Sequence, residues 1–313
     1  MGMRVLITGV SGFVGFRLAK HLLAQGYEVM GTYLRDRPPL DGVDLFDLDL
    51  LDEALLQETV RRIEPEAVVH LAGLSHVGES WSRPADYFRV NVLGSENLLR
   101  ATAGARLVAA SSAEVYGAVP EDQQPISETR IVAPQSPYAL TKAAMERLVV
   151  AAGGVVVRSF NIVGPGQAQN FAMPAFARQL TAMSAGQQDR VLKVGNLTAR
   201  RDFVHVDDAV AAFERLLQQG QPGTCYNLGS GVAHSIGEVL DRLIEVSGVE
   251  TAIEEDPARY RPIDLPLLRA DAARLQELGW SQSRDLDRAL RDLWQATLAL
   301  AAGEPGTHVS TPV

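Results

Sequence analysis

The chain of 313 residues has few of the features that mark secreted or membrane proteins. Its one cysteine, Cys225, allows no internal disulfide bond, which is typical of a reducing compartment. No apolar run reaches the roughly 18 residues that span a bilayer. The chain enters an apolar segment at Met3 without a basic leader and a cleavage site. We therefore expect a cytoplasmic protein with no membrane partner.

An excess of basic residues is also missing. Lys and Arg number 29 against 38 Asp and Glu, which gives a formal net charge of −9. Contacts to nucleic-acid phosphates need a basic surface, so we expect no nucleic-acid partner. A small anionic ligand remains compatible with the composition, because a local arginine cluster can lie on an acidic protein. We expect no metal site.

Short apolar segments alternate with helical patterns in the first half of the chain. The apolar segments predict strands at residues 4–8, 27–32, 67–72, 106–111 and 155–161. The helical patterns lie between and after them, at 16–25, 53–63, 85–101 and 138–152. This alternation predicts an α/β fold with a parallel, doubly wound sheet.

A glycine-rich turn follows the first predicted strand. Gly9, Gly12 and Gly15 form a GxxGxxG pattern, and the residues between them include Ser11, Phe13 and Val14. Glycines permit a tight turn and the close approach of backbone to a pyrophosphate, and the following helix N-terminus offers N–H groups and partial positive charge. The turn predicts a dinucleotide site, and with the alternating elements it indicates a Rossmann-type domain.

The second half of the chain has a less regular pattern. We predict that residues 1–161 and about 201–231 form the dinucleotide-binding domain. Residues 162–200 and 232–300 would form a smaller C-terminal substrate-binding lobe, and 303–313 a flexible tail. Helices are predicted at 207–219, 235–246 and 285–298, and a strand at 224–228.

The end of the second predicted strand bears on the choice between NAD and NADP. An acidic residue there would bind the ribose 2′-hydroxyl, but Arg35 and Arg37 follow instead. Because an arginine can pair with a 2′-phosphate, NADP(H) is favoured and NAD(H) stays possible. Both arginines could equally be solvated surface residues. Asp49 and Leu50 could flank the adenine, although Asp49 could equally be an ordinary loop carboxylate.

Three residues predict acid–base chemistry. Tyr138 and Lys142 are four apart, so on a helix they share one face. A lysine ammonium beside a phenol lowers the pKa of the tyrosine, which could then exchange a proton with a substrate oxygen. Ser112 lies at the C-terminal end of a central strand, where ligands of open α/β sheets bind, and could hydrogen-bond the same oxygen.

Together these motifs resemble the extended short-chain dehydrogenase/reductase superfamily, whose members mostly modify nucleotide sugars. The resemblance covers about residues 3 to 295, and it includes the strings His70-Leu71-Ala72-Gly73 and Asn91-Val92-Leu93-Gly94. It implies that Leu71 and Ala72 contact the cofactor and that Asn91 is structural. It also implies a homodimer formed through helices near 85–101 and 138–152, although their apolar residues could pack within one subunit.

Several local strings are similar to those of GDP-4-keto-6-deoxy-D-mannose reductases. They lie at residues 159–167, 193–197, 199–203 and 261–264. The resemblance implies that Asn161, Arg201 and Arg261 face the nucleotide diphosphate and its sugar, and that Lys193 lines the nucleotide end. The expected reaction is NAD(P)H-dependent reduction of the C4 ketone of a GDP-4-keto-6-deoxyhexose, which forms a GDP-6-deoxyhexose such as GDP-D-rhamnose.

Glu114 leaves other reactions open. A glutamate in this position resembles the base of nucleotide-sugar 4,6-dehydratases, and a reductase needs no such base, so Glu114 could be catalytic or merely a helper. A 4,6-dehydratase of the GDP-mannose type or a 4-epimerase on the same fold is the alternative. A non-catalytic NADP-binding regulator is a further alternative, but such a protein would have no reason to keep Ser112, Tyr138 and Lys142.

Overall fold

The computed structural model describes residues 2–260 and 262–303. Its first six strands are β1 (Arg4–Thr8), β2 (Glu28–Tyr33), β3 (Asp44–Asp47), β4 (Ala67–His70), β5 (Arg106–Ser112) and β6 (Val155–Ser159). The later strands are β7 (Asn161–Val163), β8 (Val191–Val194), β9 (Arg200–His205), β10 (Cys225–Leu228), β11 (Ala233–Ser235), β12 (Ala252–Glu255) and β13 (Leu267–Leu268).

The α-helices lie mostly between the strands. The first six are α1 (Phe13–Ala24), α2 (Glu53–Ile63), α3 (Val77–Ser80), α4 (Pro84–Phe88), α5 (Gly94–Ala101) and α6 (Pro137–Ala151). The others are α7 (Ala172–Ser184), α8 (Val206–Gln219), α9 (Ile236–Ser247), α10 (Ala273–Gln276) and α11 (Leu286–Ala301). Short 3₁₀ turns occupy Ala113–Tyr116, Glu121–Gln123 and Pro257–Arg259.

A seven-stranded sheet forms the larger part of the molecule. Its strand order is β10-β6-β5-β4-β1-β2-β3, and every neighbouring pair is parallel. The order reverses at β1, so a crevice opens beyond the carboxyl ends of β1 and β4. The α/β fold with a doubly wound parallel sheet is therefore confirmed.

Apolar side chains cover both faces of this sheet. In β1, Val5 and Ile7 pack on the side of α1 and α8, whereas Leu6 packs on the side of α2, α5 and α6. Successive strand residues point to opposite faces, so a strand buried on both sides reads as a continuous apolar run. Each such fully buried side chain contributes about 1.5–3 kcal/mol.

Smaller sheets and a separate apolar cluster form the remaining part. Strands β11, β9 and β13 lie in that order, and β7 also pairs with β9. Helices α7, α9 and α11 pack together around Phe176, Leu240 and Trp294. Strand β9 lies at the start of the 201–231 segment that was predicted to belong to the dinucleotide-binding domain, and β10 of that segment does join the large sheet. Strand β9 pairs instead with β7, β11 and β13.

Two predicted elements are interrupted where the chain approaches the crevice. The helix predicted over 85–101 is divided by a π-helical turn, Arg89–Leu93, between α4 and α5. The strand predicted over 155–161 ends at Ser159, and the chain then leaves the large sheet to form β7. The Phe160 N–H donates to the carbonyl of Leu228 at 2.9 Å, which fixes the point of departure.

Within the described ranges, no helix has both the length and the apolar character needed to cross a bilayer. The same residues contain no group of three or more His, Cys, Asp and Glu side chains that could hold a metal ion. Residues 304–313, which make up nearly all of the predicted tail, lie outside the described residues.

Candidate functional site

The glycine-rich turn joins β1 to α1 at the centre of the large sheet. Gly9 adopts a φ of 72°, in the left-handed region that L side chains avoid. A Cβ on Gly15 would lie 2.3 Å from the carbonyl oxygen of Gly9, so the helix packs directly on the turn. The N-cap, Gly12, has no side chain, and the first turn of α1 has no acidic residue. The helix N-terminus is therefore accessible and electropositive, as a pyrophosphate requires.

The residues predicted to surround the dinucleotide lie along the same sheet edge. A Cβ on Gly9 would lie 2.8 Å from the Cα of Ala72, which places the end of β4 against the turn. Arg35 is exposed just beyond β2, and its φ is 77°. Asp49 is exposed and accepts a hydrogen bond from the Leu51 N–H at 2.9 Å, and Leu50 is buried.

A buried neutral histidine connects β1 and β4 beneath this edge. The Ser95 hydroxyl donates to the carbonyl of Asn91 at 2.7 Å, so Ser95 accepts from His70 Nε2 at 2.8 Å. His70 Nδ1 then accepts from the Thr8 hydroxyl at 2.7 Å. Burial lowers the pKa of His70 to about 3, and the charge of Lys142 adds to this effect. The imidazole thus stays neutral, and its supporting role was not predicted.

Ser112 and Tyr138 meet at the carboxyl end of β5. Ser136 caps α6 by accepting the Ala139 N–H at 3.1 Å, and Pro137 begins the helix. The next residue, Tyr138, is buried, and its hydroxyl lies near enough to the Ser112 side chain for Ser112 to lower the pKa of the phenol. The structure therefore brings together the predicted serine and tyrosine, which are far apart in the sequence.

Lys142 lies one turn further along α6, also buried. Its ammonium donates to the carbonyl of Ala110 at 2.9 Å, and burial lowers its pKa to about 8 while Glu146 raises it. The predicted lowering of the Tyr138 pKa is wrong for this structure. Burial raises that pKa well above its usual value, and Glu114 raises it further, whereas Ser112 opposes them. Tyr138 is therefore held as a neutral phenol.

The π-helical turn inserts Asn91 between the crevice and α6. Its amide oxygen accepts the Leu74 N–H at 2.8 Å, and its amide nitrogen donates to the Leu74 carbonyl at 3.0 Å. The same nitrogen donates to the Thr141 hydroxyl at 3.0 Å. π-Helical turns of this kind occur often at functional sites. Asn91 thus fixes the loop after β4 against the helix that carries Tyr138 and Lys142.

A cavity of about 580 Å³ lies between the sheet edge and the smaller part of the molecule. Among the predicted residues, Glu114, Asn161 and Arg201 line it. Lys193 is exposed on β8 and is not among the described residues that line the cavity. Its role at the nucleotide end stays a prediction. Arg261 lies outside the described residues.

Arg201 is already paired inside the protein. Its guanidinium donates to Asp264 Oδ1 at 2.7 Å and to the carbonyl of Leu265 at 2.6 Å, and Asn196 donates to Asp264 Oδ2 at 2.8 Å. The Arg201 side chain is buried, and Asp264 balances much of its charge. Arg201 thus lines the cavity with a compensated rather than an isolated positive charge.

Sequence reasoning missed several residues of this cavity. They are Glu79, Gln167, Asn196, Arg259 and Tyr260. They come from separated segments, and no local motif joins them. Gln167 and Asn196 lie within the strings at 159–167 and 193–197, but the sequence of these strings could not show which of their side chains face the cavity.

Known proteins resemble this chain in sequence and in fold. A family model described as GDP-mannose 4,6 dehydratase matches residues 6–293. A GDP-6-deoxy-D-mannose reductase of Pseudomonas aeruginosa is 36% identical over 302 residues, which are 93% of this chain and 96% of the relative.

Two solved structures are also similar. RMD of Pseudomonas aeruginosa complexed with NADPH is 33% identical, with a TM-score of 0.84 over 95% of this chain and 99% of the other. A Thermus thermophilus UDP-glucose 4-epimerase in complex with NAD is 31% identical, with a TM-score of 0.87 over 94% and 99% of the two chains.

Proposed function

Since this chain belongs to the GDP-mannose 4,6-dehydratase family of extended short-chain dehydrogenases/reductases, we propose that it reduces the C4 ketone of a GDP-4-keto-6-deoxyhexose. The product is a GDP-6-deoxyhexose such as GDP-D-rhamnose. The observation that carries this proposal is the position of Tyr138 beside Ser112 at the carboxyl end of β5, near Glu114, which lines the cavity. The 36% identical relative is a reductase by name.

The protonation states at the site suit a reduction. A bound NADPH supplies the hydride. Tyr138 is a neutral phenol, because burial raises its pKa, so it can donate a proton to the oxygen that becomes the C4 hydroxyl. Ser112 can hydrogen-bond the same oxygen from the end of β5. Lys142 provides a positive charge below its pKa of about 8 and stabilises the phenolate left after proton transfer.

The sheet edge fits a dinucleotide cofactor, and we assign its contacts to the predicted residues. Gly9, Ser11, Gly12 and the start of α1, with Phe13, Val14 and Gly15, would hold the pyrophosphate. Leu71, Ala72, Asp49 and Leu50 would flank the remaining parts. Arg35, which is exposed just beyond β2, supports NADPH over NADH because it can pair with a 2′-phosphate. The similar RMD was solved with NADPH, whereas the similar epimerase was solved with NAD.

The cavity is assigned to the nucleotide sugar. We propose that the large sheet and its helices form a dinucleotide-binding lobe and that the part around α7, α9 and α11 forms the substrate lobe. Asn161 and Arg201 line the cavity between them and would face the sugar and its diphosphate. Arg261 retains its predicted role as a diphosphate contact.

A second candidate reaction is supported by Glu114. This carboxylate lines the cavity and lies near enough to Tyr138 to raise its pKa. A 4,6-dehydratase uses a base beside the sugar. A 4,6-dehydratase and a 4-epimerase both use the cofactor without consuming it. A reductase therefore differs from both of these enzymes, because it consumes NADPH.

Absorbance of reduced nicotinamide separates these reactions. The purified protein is mixed with NADPH and GDP-4-keto-6-deoxy-D-mannose, and the sugar product is then identified. Stoichiometric loss of NADPH with a GDP-6-deoxyhexose product is expected. Conversion of a parent nucleotide sugar to its 4-keto-6-deoxy form or its 4-epimer, with no net loss of NADPH, would instead assign Glu114 the role of base or make the protein an epimerase.

A homodimer is proposed through the helices that precede and contain the catalytic residues. Phe88, Leu93 and Leu140 on α4, the π-helical turn and α6 are 44%, 49% and 46% exposed. Apolar side chains at these positions suit a contact between two copies. Light scattering should give twice the chain mass, and the double variant Leu93→Glu with Leu140→Glu should give a lower mass.

The single cysteine supports the prediction of a cytoplasmic, reducing location.

A further inference from the structure

Helix α6 carries a third buried polar residue in line with the catalytic pair. Glu146 lies one turn beyond Lys142, which lies one turn beyond Tyr138, so the three share a helix face. The Glu146 side chain is almost completely buried. The proposed reaction makes no use of this carboxylate, although a buried charge is costly unless it is paired.

The partners of Glu146 come from two strands of the large sheet. The Ser111 hydroxyl donates to Oε1 at 2.5 Å. Arg158 Nε donates to Oε1 at 3.0 Å, and Arg158 Nη2 donates to Oε2 at 2.8 Å. Ser111 and Arg158 are directly opposite each other in β5 and β6. A single carboxylate therefore fastens α6 to both strands.

This connection lies next to the reacting groups. Ser111 immediately precedes Ser112, which lies beside Tyr138, so movement of the Glu146 carboxylate would change the fit between strand end and helix. Arg158 is itself held in place, since its guanidinium lies 4.9 Å from the ring centre of Tyr116 and donates to the Tyr116 hydroxyl at 3.1 Å. The Arg158 guanidinium therefore has partners besides Glu146 that hold it at this place.

Glu146 also provides negative charge near Lys142. The other elements around the Lys142 ammonium offer the Ala110 carbonyl from β5 and His70 from β4, which is neutral. On α6 itself, Tyr138 is a neutral phenol. Burial lowers the pKa of Lys142, and the negative charge of Glu146 opposes this effect.

A buried ion pair is by itself weak evidence of a gain in stability. Well-packed apolar side chains of similar volume often serve a fold equally well or better. We propose that Glu146 is a positioning residue, which holds the Ser111–Ser112 end of β5 against α6 and keeps the Lys142 side chain in its ammonium form. The catalytic meaning of this role rests on the proposed function, since it assumes that Tyr138 and Lys142 act on substrate.

The composition of the chain permits a direct measurement. The sequence has only three lysines, Lys20, Lys142 and Lys193, and the other two are exposed. Side-chain ¹³C-labelled lysine in the full chain, saturated with NADP⁺, therefore gives three NMR signals that serve as mutual controls. In the wild-type protein one signal should titrate well below the other two, and Lys142→Arg should remove that signal.

The decisive variant is Glu146→Gln, which removes the charge with little change in size. The titration midpoint of Lys142 should fall by about one pH unit or more, and those of Lys20 and Lys193 should not change. Glu128→Gln is the matched control, because Glu128 is also buried and paired but lies on the far side of Arg158, and it should leave the Lys142 midpoint in place. If Glu146→Gln does not fold, Glu146→Asp should lower the midpoint by a smaller amount. An unchanged midpoint in the folded Glu146 variants would overturn the proposal.

Arg158→Lys tests alignment separately from charge. The substitution keeps a positive charge beside Glu146 but loses the bidentate contact of the guanidinium with the carboxylate. We expect kcat to fall at least tenfold and KM for the sugar to change little. The titration midpoint of Lys142 should stay near that of the wild type. Unchanged kcat would overturn the positioning role.

The alkaline limb of the pH profile of kcat should move to lower pH in Glu146→Gln, because Lys142 then loses its proton at lower pH. If the NMR midpoint moves but the wild-type protein never consumes NADPH, the proposed function fails and the coupling of Glu146 to Lys142 stands.

Discussion

The dinucleotide edge of the large sheet is built mainly from backbone, whereas the cavity beside it is lined by polar and apolar side chains from separated segments. At the edge, the conformation of Gly9 and the contact between Gly15 and the Gly9 carbonyl set the geometry. In the cavity, Arg201 is held by Asp264, which Asn196 holds in turn. The dinucleotide edge therefore depends on glycines, which have no side chain, and the cavity depends on hydrogen bonds between side chains from distant segments.

This difference explains how each region treats charge. The edge attracts an anion with N–H groups and a helix terminus, and the nearby His70 remains neutral because burial lowers its pKa to about 3. In the cavity, Arg201 has its charge balanced before any substrate binds. Ser112 and Tyr138 meet at the carboxyl end of β5, and a change there should affect turnover without removing either ligand.

The largest effect is expected from Tyr138→Phe. Loss of the proton donor should lower kcat for NADPH oxidation by about 10²- to 10⁴-fold, while the affinity for NADPH stays close to that of the wild type. Stopped-flow absorbance would measure the first quantity, and fluorescence titration with NADPH the second. Near-normal turnover would remove Tyr138 from the mechanism.

A smaller but substantial effect is expected from Gly15→Ala in the backbone-built region. The new Cβ would lie 2.3 Å from the Gly9 carbonyl oxygen, so the turn or helix must move. We expect a loss of about 1–3 kcal/mol in the free energy of unfolding and weaker NADPH binding. Urea unfolding and fluorescence titration measure these changes.

Gly186→Ala provides the control for that substitution. Gly186, unlike Gly15, has a positive φ, 69°, but no atom lies within 4 Å of its Cβ position, and it follows α7 in the other region. It should lower stability through backbone strain and leave NADPH binding intact. Equal loss of binding in both variants would show that the contact at Gly15 does not matter for the cofactor.

Arg35→Ala should have a more selective effect. Removing a charge-assisted contact to a 2′-phosphate costs about 1.5–3 kcal/mol, so the Kd for NADPH should rise about tenfold or more and that for NADH should stay the same. Arg37→Ala, which removes the same charge two residues away, is the control. Equal weakening of both cofactors would mean that Arg35 does not contact the 2′-phosphate.

The sequence predicted the backbone-built region more fully than the cavity. The bounds of β1 and α2 agree with their predicted positions, because an apolar run and a capping residue are local signals. Asp52 accepts the Leu55 N–H at 3.0 Å and so marks the start of α2. The resemblance to the extended short-chain dehydrogenases/reductases is likewise confirmed by the family match and the similar reductase.

Where prediction failed, distant contacts override the local pattern. The helix predicted over 85–101 is interrupted because the amide of Asn91 bonds to the backbone of Leu74 and to Thr141, which lie elsewhere in the sequence. The Tyr138 pKa was expected to fall because a lysine follows one turn later. Burial, which depends on the whole fold, raises it instead.

Substitution of Lys193 gives the smallest expected effect and tests which residues bind the nucleotide sugar at the cavity. Strand β8 buries Leu192 and Val194 completely, so the alternation of side chains along a strand directs the Lys193 side chain outwards. The backbone of Lys193 is bonded to Gln179 in both directions, at 3.0 and 3.1 Å, which fixes this orientation.

Lys193→Ala should therefore change KM for the nucleotide sugar by less than about twofold, since exposed substitutions rarely cost more than about 0.5 kcal/mol. Arg259→Ala is the matched comparison, because Arg259 lines the cavity and also loses a positive charge, and it should raise KM about tenfold if it contacts the diphosphate. Steady-state kinetics at fixed ionic strength compares the two. A large increase in KM for Lys193→Ala alone would mean that the substrate extends beyond this cavity to the outer face of β8. The role at the nucleotide end that the family resemblance implies for Lys193 would then be correct.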